Sequence, residues 1–159
     1  MKLTLTMKNN TEIKLKVFDF GPISNIENED GFITIKKFTF LIGPQGSGKS
    51  TLAKLISTFL WLEKALYTSK VSENEVSENF VGKYCAYFGL SSYFKPPSLI
   101  SFKGEKYKFE YKHSKLVITK KKNNNYIYRI SKIMYVPSER NFLCSIPNSL
   151  YIQGLPAPL

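Results

Sequence analysis

Histidine occurs once in this chain, and cysteine, arginine and aspartate occur twice each; every scarcity closes off a class of chemistry. His113 together with Cys85 and Cys144, which lie far apart, supplies no ligand set for a tetrahedral zinc site. Ser-His-Asp chemistry is equally unsupported, because His113 stands among lysines in a polar stretch and reads as a solvated surface residue. The two cysteines are expected to be buried, reduced thiols rather than a disulfide. No apolar run approaches the length of a membrane span; Ile56 to Leu62 is interrupted by Ser57 and Thr58. The start, Met1-Lys2-Leu3-Thr4-Leu5-Thr6, alternates like a strand and lacks the long apolar segment of a secretory signal. A cytoplasmic protein without a membrane partner is the expectation.

Against these absences stand a usable core and a strong positive charge. The 159 residues fit one domain, and a hydrophobic content of 43% with 14% aromatics argues against general disorder. Of the formal charge of +11, most sits between Leu99 and Lys132, where ten Lys or Arg residues face only Glu105 and Glu110. A basic surface attracts polyanions, among them DNA, acidic proteins and nucleotides. The same lysines also suit a solvated sheet edge that resists aggregation.

Five segments are expected along residues 1–159. Residues 1–42 carry N-terminal strands: Leu3, Leu5 and Met7, then Ile13, Leu15 and Val17, then Phe32 to Ile35, and an apolar strand from Phe38 to Ile42. Residues 43–70 hold a glycine loop and a helix, with Leu52, Leu55, Ile56, Phe59, Leu62 and Leu66 recurring at three- and four-residue steps. Residues 71–98 combine a polar loop, in which Ser72 and Glu75 have capping-box spacing, with a helix over Phe80 to Phe88 ended by Gly89. Residues 99–136 read as β hairpins at Leu99–Phe102, Tyr107–Tyr111, Leu116–Thr119 and Tyr126–Ile130, then a buried strand at Ile133–Val136. Residues 137–159 form a proline-containing tail.

The chemistry concentrates in Gly43-Pro44-Gln45-Gly46-Ser47-Gly48-Lys49-Ser50-Thr51, which fits G-x-x-x-x-G-K-[ST]. Gly43, Gly46 and Gly48 allow backbone conformations that a side chain would block, so that successive N–H groups turn into one concavity and hold phosphate oxygens. Lys49 brings a positive charge to the β- and γ-phosphates, and the Ser50 hydroxyl is placed to ligate Mg2+. The helix that follows presents its positive dipole end to the same anion. The expected ligand is ATP with Mg2+.

Binding phosphates is not hydrolysing them. Hydrolysis also needs a carboxylate at the end of a second strand to hold the metal, and a group that positions water. Asp19 and Asp30 both precede the loop, and the only later carboxylate at the end of an apolar strand is Glu139. Lys49 and Glu139 are therefore the candidate catalytic residues.

Phe20-Gly21-Pro22-Ile23, the stretch Phe40 to Ile56 and Tyr135-Val136-Pro137-Ser138-Glu139-Arg140-Asn141-Phe142-Leu143 together resemble bacterial AAA-family ATPases of ABC type. That group is related to the overcoming-lysogenization-defect and structural-maintenance-of-chromosomes ATPase heads, and the resemblance runs from about Phe18 to Leu155. It implies an α/β P-loop NTPase fold with an antiparallel β-hairpin subdomain. It also implies head-to-head dimers in the full-length form. Ser138 stands where the family carries its Q-loop glutamine; Glu139 and Arg140 either take over that role or form a structural ion pair. The family's signature motif, Walker B Asp-Glu and switch histidine find no counterpart. The resemblance thus implies the front half of an ATPase head with an incomplete sheet.

Three functions follow as expectations. The first is the ATP-binding domain of an ABC-type ATPase, whose hydrolysis requires elements absent from this chain. The second is a non-catalytic fragment that binds nucleotide, or nucleic acid through its lysine hairpins. A small P-loop kinase is the third, and it fits less well: about forty residues of strand precede the loop, and Arg129 and Arg140 are too few for an arginine-rich lid.

Overall fold

Residues 13–18 read Ile-Lys-Leu-Lys-Val-Phe, and the alternation sends Leu15 and Val17 to one side and the lysines to the other. In the computed structural model, which describes residues 12–26, 31–121, 128 and 132–136, this segment is strand β1 (Ile13–Phe18). It pairs with β2 (Ile33–Ile35) on one edge and β3 (Leu99–Lys103) on the other. The sheet continues through β4 (Tyr107–Lys112) and β5 (Lys115–Lys120), giving the order β2-β1-β3-β4-β5 with every neighbour antiparallel. The register aligns Leu15 with Phe102, Phe102 with Phe109, and Tyr111 with Leu116, so one face of the sheet is continuously apolar.

Helix α1 (Lys49–Tyr67) covers that face. Its buried Leu52, Leu55, Phe59, Leu62 and Leu66 follow the spacing legible in the sequence. Phe59 is the centre of the packing: its ring stacks on Phe102 at 5.0 Å and on Phe80 at 5.5 Å. A short helix α2 (Glu73–Asn79) follows, its first turn closed by the Ser72 hydroxyl, which accepts from the Glu75 N–H at 3.2 Å. The coarse expectation of an α/β chain with antiparallel hairpins therefore holds, as a five-stranded sheet with two α-helices among the described residues.

Three local expectations are corrected. Glu73–Asn79, expected within a polar loop, is the helix α2, whereas Phe80 to Phe88 is helical as expected, as a π-helical turn (Phe80–Cys85) running into a 3-10 turn (Ala86–Phe88) that ends at Gly89. The widened turn places Phe80, Tyr84 and Cys85 all in the core. Phe38 to Ile42 forms no strand ladder with any described residue, and Phe38, Phe40 and Ile42 are 75%, 84% and 95% exposed. Ile133 to Val136 likewise belongs to no strand among the described residues, with Met134 and Val136 exposed and Tyr135 against the Phe88 ring. In both segments the apolar pattern is strand-like, but an extended chain becomes a strand only where a neighbour takes its N–H and C=O groups. The strands expected at Leu3–Met7 and Tyr126–Ile130 lie outside the described residues, apart from Tyr128.

Candidate functional site

The expected phosphate loop stands at the N-terminus of α1. Gly46 and Gly48 have φ of +80° and +87°, in the left-handed region that side chains disfavour. Gly48 is constrained by packing as well, because a Cβ there would lie 2.5 Å from Ile23 Cγ1. The Phe20-Gly21-Pro22-Ile23 segment therefore forms the floor on which the loop rests. It is pinned by reciprocal backbone hydrogen bonds between Phe20 and Ile23, at 2.8 and 3.0 Å.

From Gly48 the chain enters the helix directly. The Leu52 N–H donates to the Gly48 carbonyl at 2.9 Å, no side chain caps the first turn, and no acidic residue lies in it. The free N–H groups of that turn and the helix dipole thus keep their full attraction for an anion. Residues 43–47 and Ser50 are exposed, whereas Thr51 is buried at the base of the helix. The Ser47 N–H closes a turn onto the Pro44 carbonyl at 3.4 Å.

Lys49 bends back over the loop. Its ammonium donates to the Gly43 carbonyl at 2.8 Å, the Pro44 carbonyl at 2.5 Å and the Ser47 hydroxyl at 3.3 Å. These bonds hold the cation at the loop's mouth in an exposed setting, where exchange for a phosphate oxygen costs little desolvation. Within residues 43–51, Lys49 is thus tied to Gly43, Pro44 and Ser47. Glu139, Ser138 and Arg140 lie outside the described residues, so the second half of the expected site has no described geometry. Among the described residues no group of three His, Cys, Asp or Glu side chains could hold a metal ion. The donor set still fits a nucleotide-borne Mg2+, for which the exposed Ser50 hydroxyl is the available protein ligand.

A second polar centre was not foreseen. Glu63, on α1 one residue after buried Leu62, is fully buried. Its Oε1 accepts from the N–H groups of Lys106 and Tyr107, at 2.6 and 2.9 Å, where the turn after β3 enters β4. Among the described residues Oε2 has no hydrogen-bond partner. Burial pushes the carboxyl pKa up, opposed by the backbone donors of Tyr107, Lys106 and Glu105. The carboxylate lies so close to Gly104 that any Cβ there would collide with it. Glu63 therefore bolts the helix that begins at the glycine loop to the basic hairpins. A Glu in the middle of an apolar helix face was the only signal for it in the sequence.

Comparison with known proteins adds no family to this picture. No family model, curated protein or solved structure matches the chain. The described residues contain no helix long and apolar enough to cross a membrane.

Proposed function

We propose that this chain binds the triphosphate of ATP, with Mg2+, through residues 43–51. The reading is carried by one arrangement: left-handed glycines at 46 and 48 lead into an acid-free helix N-terminus, while Lys49 is folded over the same loop. In this role the N–H groups of the loop and first helical turn take the phosphate oxygens, Lys49 neutralises the terminal phosphates and Ser50 ligates the metal. Mg2+ bound with the nucleotide would draw charge from the phosphate oxygens.

The resemblance to ABC-type AAA ATPases gives the wider reading. The chain acts as the nucleotide-binding front of a head that turns over ATP only when paired and completed by a second carboxylate. That division rests on the sequence, in which Asp19 and Asp30 both precede the loop and no aspartate follows it. A phosphate-release assay on the purified chain, with Lys49→Ala beside it, tests this point. Binding without turnover is expected; turnover that disappears in Lys49→Ala would overturn the incomplete-site reading and leave nucleotide binding standing.

A further inference from the structure

The face of the sheet opposite α1 gathers lysines that are scattered in sequence. Alternation along the strands places Lys14 and Lys16 of β1, Lys103 of β3, Lys108 and Lys112 of β4 and Lys115 of β5 on this face, opposite the buried set. The register sharpens the point. Lys14 lies directly across from Lys103, Lys103 from Lys108, and Lys112 from Lys115. Like charges directly opposite one another in adjacent strands are destabilising, so a row of three lysines across three strands works against the fold's own stability.

Local contacts relieve only part of this. Lys14 pairs with Glu12 at 2.9 Å and Lys108 with Glu110 at 2.7 Å. Lys16 and Lys103 lie over the Phe32 ring, at 5.6 and 4.0 Å from its centroid. Among the described residues Lys16, Lys103, Lys112 and Lys115 have no carboxylate within ion-pair distance. Phe18 continues the same face at the far end of β1 and is 44% exposed.

We propose that this face binds single-stranded nucleic acid, the lysines taking successive phosphates and the exposed Phe18 ring meeting the bases. Charge complementarity selects a polyanion. Cations about 6.6 Å apart along a strand and about 4.8 Å apart between strands form a two-dimensional grid that an extended backbone can follow. Aromatic rings on an open antiparallel sheet favour unstacked bases over a duplex, whose bases are closed to them. The surface is separate from the phosphate loop, and the inference does not rest on nucleotide binding.

The test is fluorescence anisotropy with labelled (dT)20, titrated from 25 to 200 mM KCl in EDTA without nucleotide, so a failed phosphate loop leaves the readout intact. Single strands give a slope of log K against log salt of about −0.7 per phosphate neutralised, so engagement of the four lysines predicts roughly −3. Lys112→Gln/Lys115→Gln, at an exposed hairpin end, is expected to reduce that slope by about 1.4, as is Lys16→Gln/Lys103→Gln. Lys70→Glu, an exposed position after α1 with the same change in net charge, is expected to leave the slope in place. Circular dichroism establishes that each variant is folded. Four results would each overturn the proposal: no binding at 25 mM salt; equal loss in Lys70→Glu; tighter binding to a 20-base-pair duplex than to (dT)20; or sedimentation with phosphatidylserine vesicles while (dT)20 stays free.

Discussion

Ile23 occupies the space that any side chain at Gly48 would need: a Cβ there would approach Ile23 Cγ1 to 2.5 Å. The glycine ahead of the motif lysine is thus required by packing as well as by its φ of +87°. The loop and the Phe20–Ile23 bridge form one unit, with the bridge fixing the height at which the helix begins.

This relationship separates two glycines that look equivalent in the motif. Gly48→Ala should cost about 1–3 kcal/mol of stability from overpacking and backbone strain, and should also abolish ATP binding. Gly46→Ala meets nothing within 4 Å, so only its φ of +80° is penalised, with a cost of about 1 kcal/mol. Thermal melts of the two variants check the order; equal destabilisation would show that the Ile23 contact is unimportant.

Glu63 predicts a pH dependence of unusual sign for a carboxylate. Its folded pKa is raised above the ordinary 4.5, chiefly by burial, so the folded state binds the proton more tightly than the unfolded chain. The stability this contributes is complete below the unfolded value and is lost as pH rises through the folded one. In Glu63→Gln that loss should vanish, leaving a flatter stability profile above pH 4.5 in urea melts at a series of pH values. Gly104→Ala, which drives a methyl group into the same carboxylate, should destabilise the fold at every pH by about 1–3 kcal/mol.

Core and surface aromatics should respond in opposite ways. Phe59→Ala removes the ring at the centre of the core and should cost about 3–5 kcal/mol. Phe40→Ser, at a side chain 84% exposed, should stay within about 0.5 kcal/mol of the parent. A large loss in Phe40→Ser would mean that this segment is covered in solution.

Cys85 should be inert. Burial raises its thiol to about 12, so almost no thiolate exists at pH 8. In a Cys144→Ser background, a disulfide reagent such as DTNB should label Cys85 only after the chain is unfolded.

What the sequence disclosed and what it withheld differ in their physical range. Alternation in Ile13 to Phe18, the three- and four-residue steps of α1 and the left-handed glycines at 46 and 48 are local signals that reappear in the structure, whereas Gly43 does not take the left-handed φ expected of it. Ser72 as the cap of α2 was legible for the same reason. Pairing is not local. Phe38–Ile42 has the composition of a buried strand, yet nothing within the segment says whether a neighbour lies beside it. The lysines between Leu99 and Lys132 gave no hint that Lys14 and Lys16 would join them, because that depends on β1 lying next to β3. Glu63 was hidden for a related reason: its partners, Lys106 and Tyr107, lie more than forty residues away.

Isothermal titration calorimetry of the folded chain with ATP and Mg2+ tests the central claim most directly, with Lys49→Ala as its partner. Heat of association that saturates at one nucleotide per chain, lost in Lys49→Ala while the melting temperature holds, is the predicted result. A folded chain that gives no heat, or a Lys49→Ala variant that binds as tightly as the parent, would contradict it.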